Sequence, residues 1–167
     1  EGVDVPSLDG VAFIDPRSSQ VDIIQAVGRA IRKSANKEIG TIVLPVLIPT
    51  DADAEHALED TAFKPIWAIL NALKSHDEEL AVELNTLRTE LGRTGNVGQL
   101  PDRLVEDLPV DIDSILPGFS DQFLITVVGQ TGSTWNYWYG LLLDYVEKVG
   151  TAYVNQIDFW QGRNIGS

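Results

Sequence analysis

The chain has 167 residues, carries 12 Lys and Arg against 25 Asp and Glu, and has a formal charge of −13. With 44% hydrophobic and 8% aromatic residues, it has the composition of one ordinary globular domain or two small ones, not of a disordered acidic tail. Cysteine is absent, which excludes disulfides and thiolate zinc sites, and no apolar run approaches the roughly 18 residues of a membrane span.

In chain order, Gly10–Ile14 is an apolar run closed by Asp15-Pro16, the pattern of a short buried strand and a turn. Ser18 and Ser19 offer N-caps for a helix from Gln20 to Lys33. Ile39–Ile48, rich in β-branched residues, predicts a second strand, with Pro45 marking an edge or bulge. Strand, helix and strand within about 40 residues is the rhythm of a helix-covered parallel sheet.

After Pro49 the pattern becomes helical. A short acidic helix is expected within Asp51–Asp60. From Ala62 to Leu91, apolar residues recur at three- and four-residue steps, predicting one long amphipathic helix or two broken near Ser75-His76-Asp77. Residues 92–101 are expected to form a loop and Pro109–Pro117 an irregular stretch. A helix follows over Ser120–Val128, broken by Gly129–Gly132, and then an aromatic helix Trp135–Val149, capped by Ser133 or Thr134 and ended by Gly150. The fold class expected is an α/β N-terminal part with a parallel sheet, followed by a mainly α-helical C-terminal part.

Charge is distributed unevenly. Residues 1–50 carry five basic and six acidic groups, whereas residues 51–167 carry seven and nineteen. Nucleic acid binds largely through phosphate neutralisation, so phosphate chemistry is expected in the first fifty residues. There the helix over Gln20–Lys33 places Gln25, Gly28, Arg29 and Arg32 on one arc, with Ile23, Ile24, Val27, Ala30 and Ile31 opposite. Two arginines one turn apart beside a glycine suit phosphate oxygens, because arginine is always charged and offers a planar donor fork. The same spacing also describes an ordinary solvated helix face.

The segment Gln25-Ala-Val-Gly-Arg-Ala-Ile-Arg32 resembles motif VI of superfamily 2 (DEAD/DEAH-like) helicases, Q-x-x-G-R-x-x-R. Glu1-Gly-Val-Asp-Val-Pro6 resembles the end of motif V, and residues 7–17 resemble the strand and turn that separate the two motifs. At the other end, residues 135–150 and 160–166 resemble the start of a bacterial helicase-associated domain. The resemblance implies three parts: residues 1–50 from the second RecA-like motor domain, a helical connector over 51–132, and a truncated helicase-associated domain over 133–167.

It further implies that ATP lies between two motor domains, with Arg32 as the finger on the γ-phosphate and Arg29 as a second contact or interface residue, roles the two could exchange. Gln25 and Gly28 would lie close to the nucleotide, as would Gly2 and Asp4, and Arg17 would contact nucleic acid. The cofactor implied is ATP with Mg2+, held mainly by a first motor domain; the sequence contains neither a G-x-x-x-x-G-K-[ST] phosphate loop nor a DE-x-[DH] magnesium motif. The chain is therefore expected to be a slice of a longer protein, as its missing initiator Met also suggests, and to be inactive alone. Its partners would be DNA or RNA, through the parent protein, and no membrane. A cytoplasmic location is expected, since the opening residues lack a basic signal region.

Two alternatives accompany this reading: a non-catalytic acidic module that takes a protein partner through its helices, and the motor part of a restriction enzyme. No metal site is expected from His56 and His76, nor an acid–base pair from Glu78, Glu79 and Glu83. Asp107, Asp111 and Asp113 lack the rest of a calcium loop. Trp135, Trp138 and Tyr139 could stack bases, although Trp135, Trp138, Leu142 and Tyr145 are the preferred core stripe. Arg17 could equally close a turn.

Overall fold

The N-terminal part is built on two short strands, Gly10–Ala12 (β1) and Thr41–Val43 (β2), paired in parallel with Gly10 opposite Thr41 and Ala12 opposite Val43. Parallel neighbours need a crossover connection, and within it Gln25 and Gly28 are both helical. The computed structural model describes residues 10–12, 25, 28, 41–48, 53–59, 61–102, 104 and 111–166. The second strand is shorter than its apolar run: residues 44–48 lie outside the pairing, and Pro45 has no N–H to give to a ladder.

The rest is mainly helical, as expected. Ala54–Glu59 (α1) leads through a single 3-10 turn, Thr61–Phe63, into Lys64–His76 (α2) and Glu78–Thr94 (α3). Asp77 separates α2 from α3: its backbone is extended, and its side chain accepts a hydrogen bond from the Leu80 N–H at 3.0 Å, capping α3. The break predicted near Ser75-His76-Asp77 is there. Gly95, at φ 76°, terminates α3 with its N–H on the Leu91 carbonyl, so the helix runs three residues past Leu91.

A four-residue helix, Ile112–Ile115 (α4), lies within the stretch expected to be irregular. Phe119–Thr131 (α5) and Thr134–Val149 (α6) follow, the latter ended by Gly150 at φ 81°. Gly129 does not break α5, contrary to the sequence expectation. The helix continues to Gly132, because these two glycines make room for Arg88: a Cβ on Gly132 would lie 2.5 Å from Arg88 Cβ, and one on Gly129 3.2 Å from its Nη1.

The chain closes on a two-stranded hairpin, Phe159–Trp160 (β3) and Arg163–Asn164 (β4). Gln161 and Gly162 both have positive φ, at 46° and 75°, the backbone that a tight two-residue hairpin turn demands.

One core gathers Ala57 and Leu58 of α1, Phe63, Trp67 of α2, Ile112, Leu116, and Phe119, Phe123 and Val127 of α5. Its four aromatic rings form a closed circuit with centroids 6.1–6.2 Å apart, within the range of favourable ring packing. Ile69 and Leu73 of α2 meet Ile42 and Leu44, which ties the helical part to β2. A third cluster joins Leu87 and Leu91 of α3, Leu124 and Val128 of α5, and Tyr137 of α6.

The longest helices, α3 and α6, meet backbone to backbone. A Cβ on Gly140 would collide with the Thr89 carbonyl, and one on Gly92 with the Tyr137 carbonyl. Polar contacts set the register: Asn136 Nδ2 donates to Thr89 Oγ1 at 3.1 Å, and Asn85 Oδ1 accepts from the Ser133 N–H at 2.9 Å.

Candidate functional site

Of the residues that carry the motif resemblance, Gln25 and Gly28 fall within the described chain, while Gly2, Asp4, Arg17, Arg29 and Arg32 lie outside the described residues. Three residues apart on a helix, Gln25 and Gly28 share a side. The Gln25 side chain is exposed, and a Cβ added to Gly28 would meet no atom within 4 Å. That face carries no close contact among the described residues. Packing within the described chain therefore gives no reason for glycine at position 28.

The C-terminal hairpin is fastened by a carboxylate that sequence reasoning missed. Asp144 of α6 is only 5% exposed. Its Oδ2 accepts from Trp160 Nε1 at 2.7 Å and from Gln161 Nε2 at 2.8 Å, and Lys148 Nζ lies 2.8 Å from its Oδ1. The hydrogen bond from Lys148, then those from Trp160 and Gln161, pull its pKa down to about 2 against the opposing effect of burial. Gln161 also donates to the Arg93 carbonyl at 3.2 Å, and Arg93 pairs with Glu147 at 2.7 Å, bringing α3, α6 and the hairpin together. Lys148 one turn after Asp144 was the one sequence signal available.

Beside this junction two guanidinium groups converge on one ring. Arg88 of α3 lies 4.8 Å from the Tyr137 centroid and Arg163 of β4 lies 5.3 Å from it. Arg88 is half-buried and its Nε is fully buried without an acceptor. Burial lowers its pKa first; Tyr137 works in the other direction, and the like charge of Arg163 lowers it further.

The aromatic face of α6 corrects an expectation. Trp135 is 67% exposed, Trp138 41% and Tyr139 40%, so Trp135 and Trp138 do not belong to a core stripe. Gly140, Leu141, Asp144 and Tyr145 form the buried face instead. The Gly140 contact with α3 sets the rotation of the helix and turns the indoles outward. Trp135 and Tyr139 stack on each other at 5.0 Å and 12°, and Trp138 meets Tyr137 edge-on at 5.8 Å.

Several of the other polar candidates have local structural partners, and Asp107 lies outside the described residues. Asp53 accepts from the His56 N–H at 2.9 Å and pairs with its Nδ1 at 2.8 Å at the start of α1. The side-chain hydrogen bond with Asp53 raises the His56 pKa. Asp113 accepts from the Ser120 N–H and hydroxyl at 3.1 and 2.5 Å, tying α4 to the start of α5. Glu78 and Glu79 are exposed in the first turn of α3, where acidic groups complement the helix dipole. Among the described residues no cluster of three His or acidic side chains is placed to hold a metal. No described helix is long and apolar enough to cross a membrane.

No family model matches the chain. Over 77 residues, 46% of its length, it is 45% identical to a probable helicase of African swine fever virus, with the same identity in two further isolates. The chain spans only 8% of those viral proteins. Among solved structures it is similar to an ATP-dependent Type ISP restriction-modification enzyme, LlaBIII, bound to DNA. That likeness has a TM-score of 0.57 and 27% identity, and covers 90% of this chain and 10% of the enzyme. Together these similarities support a helicase-related chain.

Proposed function

We propose that the chain is a section of an ATP-dependent helicase or translocase, and that its crossover helix supplies the arginine-finger half of the ATP site. The carrying observation is the parallel β1–β2 pair with Gln25 and Gly28 helical in its connection. A strand followed by that helix is the context in which the Q-x-x-G-R-x-x-R pattern would present arginines to a nucleotide. In this reading Arg32 meets the γ-phosphate and stabilises the charge that develops as the phosphoryl group passes to water, while Arg29 makes a second contact or holds the facing domain. Gln25 and Gly28 lie against the nucleotide, Gly2 and Asp4 approach its ribose or the coupling surface, and Arg17 touches nucleic acid. ATP supplies the transferred phosphoryl group, and Mg2+ would be held mainly by residues of a first motor domain.

The division into a motor part over 1–50, a connector over 51–132 and a helicase-associated part over 133–167 belongs to this proposal. So does the expectation that the section alone is inactive. The motor of a restriction enzyme is the second reading, favoured by the likeness to LlaBIII over 90% of the chain. The deciding experiment is nucleic-acid-stimulated ATP hydrolysis by the full-length protein, wild type beside Arg32→Ala. An arginine finger contributes about 10³- to 10⁵-fold in rate, so the variant should bind ATP and fail to turn it over. Wild-type turnover in the variant would remove Arg32 from the role. A wild type inert with every nucleic acid offered would remove the motor reading.

A further inference from the structure

The charge of this chain argues against nucleic acid anywhere after residue 50, yet the geometry around Tyr137 does not follow the average. Arg88 and Arg163 stand 75 residues apart in sequence, on α3 and β4, and both guanidiniums face one phenol ring at 4.8 and 5.3 Å. Among the described residues neither has a carboxylate or carbonyl acceptor, and Arg88 Nε is fully buried and unpaired. The chain has 25 acidic groups, and none of those among the described residues pairs with either cation.

Two like charges held together without a counter-ion repel each other, and an arginine left without acceptors forgoes several charge-assisted hydrogen bonds. An anion with several oxygens would offset the repulsion and accept from the guanidinium N–H groups that reach the surface, though not from the buried Arg88 Nε. Beside the pair, Trp138 packs edge-on against Tyr137 at 5.8 Å and is 41% exposed. Arginines beside an exposed indole suit a strand that offers phosphates and bases together; an acidic protein segment would use the charges and leave the indole idle.

We infer that Arg88 and Arg163, gathered on Tyr137, form a contact site for the phosphate backbone of a nucleic acid, with Trp138 beside it to receive a base. The inference rests on the motor reading, because a surface this acidic repels a polyanion at a distance and needs the rest of the protein to bring the strand in. The contact acts at close range, inside the roughly 8 Å over which salt leaves charges unscreened.

The test is the salt dependence of labelled-oligonucleotide binding to the full-length protein, for wild type, Arg163→Gln and the Arg88→Gln/Arg163→Gln double variant. Each lost phosphate contact should reduce the log–log salt slope by about 0.7 to 0.9, so the double variant should lose about 1.4 to 1.8. Its Kd should rise about tenfold at low salt, while ATP hydrolysis without nucleic acid stays at the wild-type level. Arg163 is exposed, so its single substitution carries the test even if Arg88→Gln misfolds. Wild-type affinity and slope in Arg163→Gln and the double variant would overturn the inference and leave the motor reading standing. A wild type that binds no oligonucleotide would overturn both. Equal loss of free ATP binding in the variants would point to a nucleotide phosphate and overturn the assignment to a strand.

Discussion

Gly140→Ala tests the central contact of the helical part. The added methyl would collide with the Thr89 carbonyl and lie 3.0 Å from the Arg93 backbone nitrogen. Backbone atoms inside a helix cannot swing aside as a side-chain end can, so α3 and α6 must part by about 1 Å. A gap of that size forfeits a quarter to a half of each affected dispersion contact, and overpacking of this kind costs about 3 kcal/mol at the upper end of its usual range. Alanine returns about 1 kcal/mol through its better helix propensity, for a net loss near 2 kcal/mol. At ~2–4 °C per kcal/mol for a domain of this size, thermal unfolding by circular dichroism should show Tm falling by roughly 4–8 °C. A Gly92→Ala change made on top should add less than its own single effect, since the helices have already separated. A Gly140→Ala protein melting at or above the wild type would show that propensity outweighs the contact and that α3 and α6 do not touch backbone to backbone.

Gly28→Ala should behave in the opposite way: no atom lies within 4 Å of its added Cβ, so melting should hold or rise by up to about 1 kcal/mol in stability. If that face receives the nucleotide, turnover should nonetheless fall about tenfold, a loss of ~1.4 kcal/mol in positioning, and an active, stabilised variant would refute the assignment of Gly28. For Asp144, a pKa held down at about 2 means that the folded state favours the ionised form. Its contribution is complete above about pH 4, where an unfolded Asp titrates, and is lost as pH falls through 2. Chemical unfolding at a series of pH values should therefore show wild type losing more stability than Asp144→Asn between pH 4 and 2; parallel curves would show that the carboxylate does not hold the hairpin.

Much of the fold was legible because its signals are local. Asp77 can cap a helix only where one begins, so the break between α2 and α3 showed in the chain, as did the glycine stop at Gly150 and the capping position at Ser133. The parallel pairing of β1 with β2 followed from two apolar runs flanking a helical pattern. The Q-x-x-G-R-x-x-R spacing, likewise, needs only eight consecutive residues to be seen.

What the residues could not announce depends on partners distant in sequence. Gly129 looked like a helix breaker until Arg88, 41 positions earlier, was seen lying against it. The indoles of α6 looked like a core stripe because periodicity gives the angular spacing of side chains without saying which angle faces inward. Close approach at Gly140 and Gly92 fixed that rotation, buried Leu141 and Asp144, and left Trp135 and Trp138 at the surface. Asp144 itself was one acid among 25 until the hairpin brought Trp160 and Gln161 onto it. Capping and turn chemistry act over three or four residues and can be read along the chain; helix rotation, the sharing of one carboxylate by three donors and the meeting of two arginines on one ring exist only once distant segments have packed.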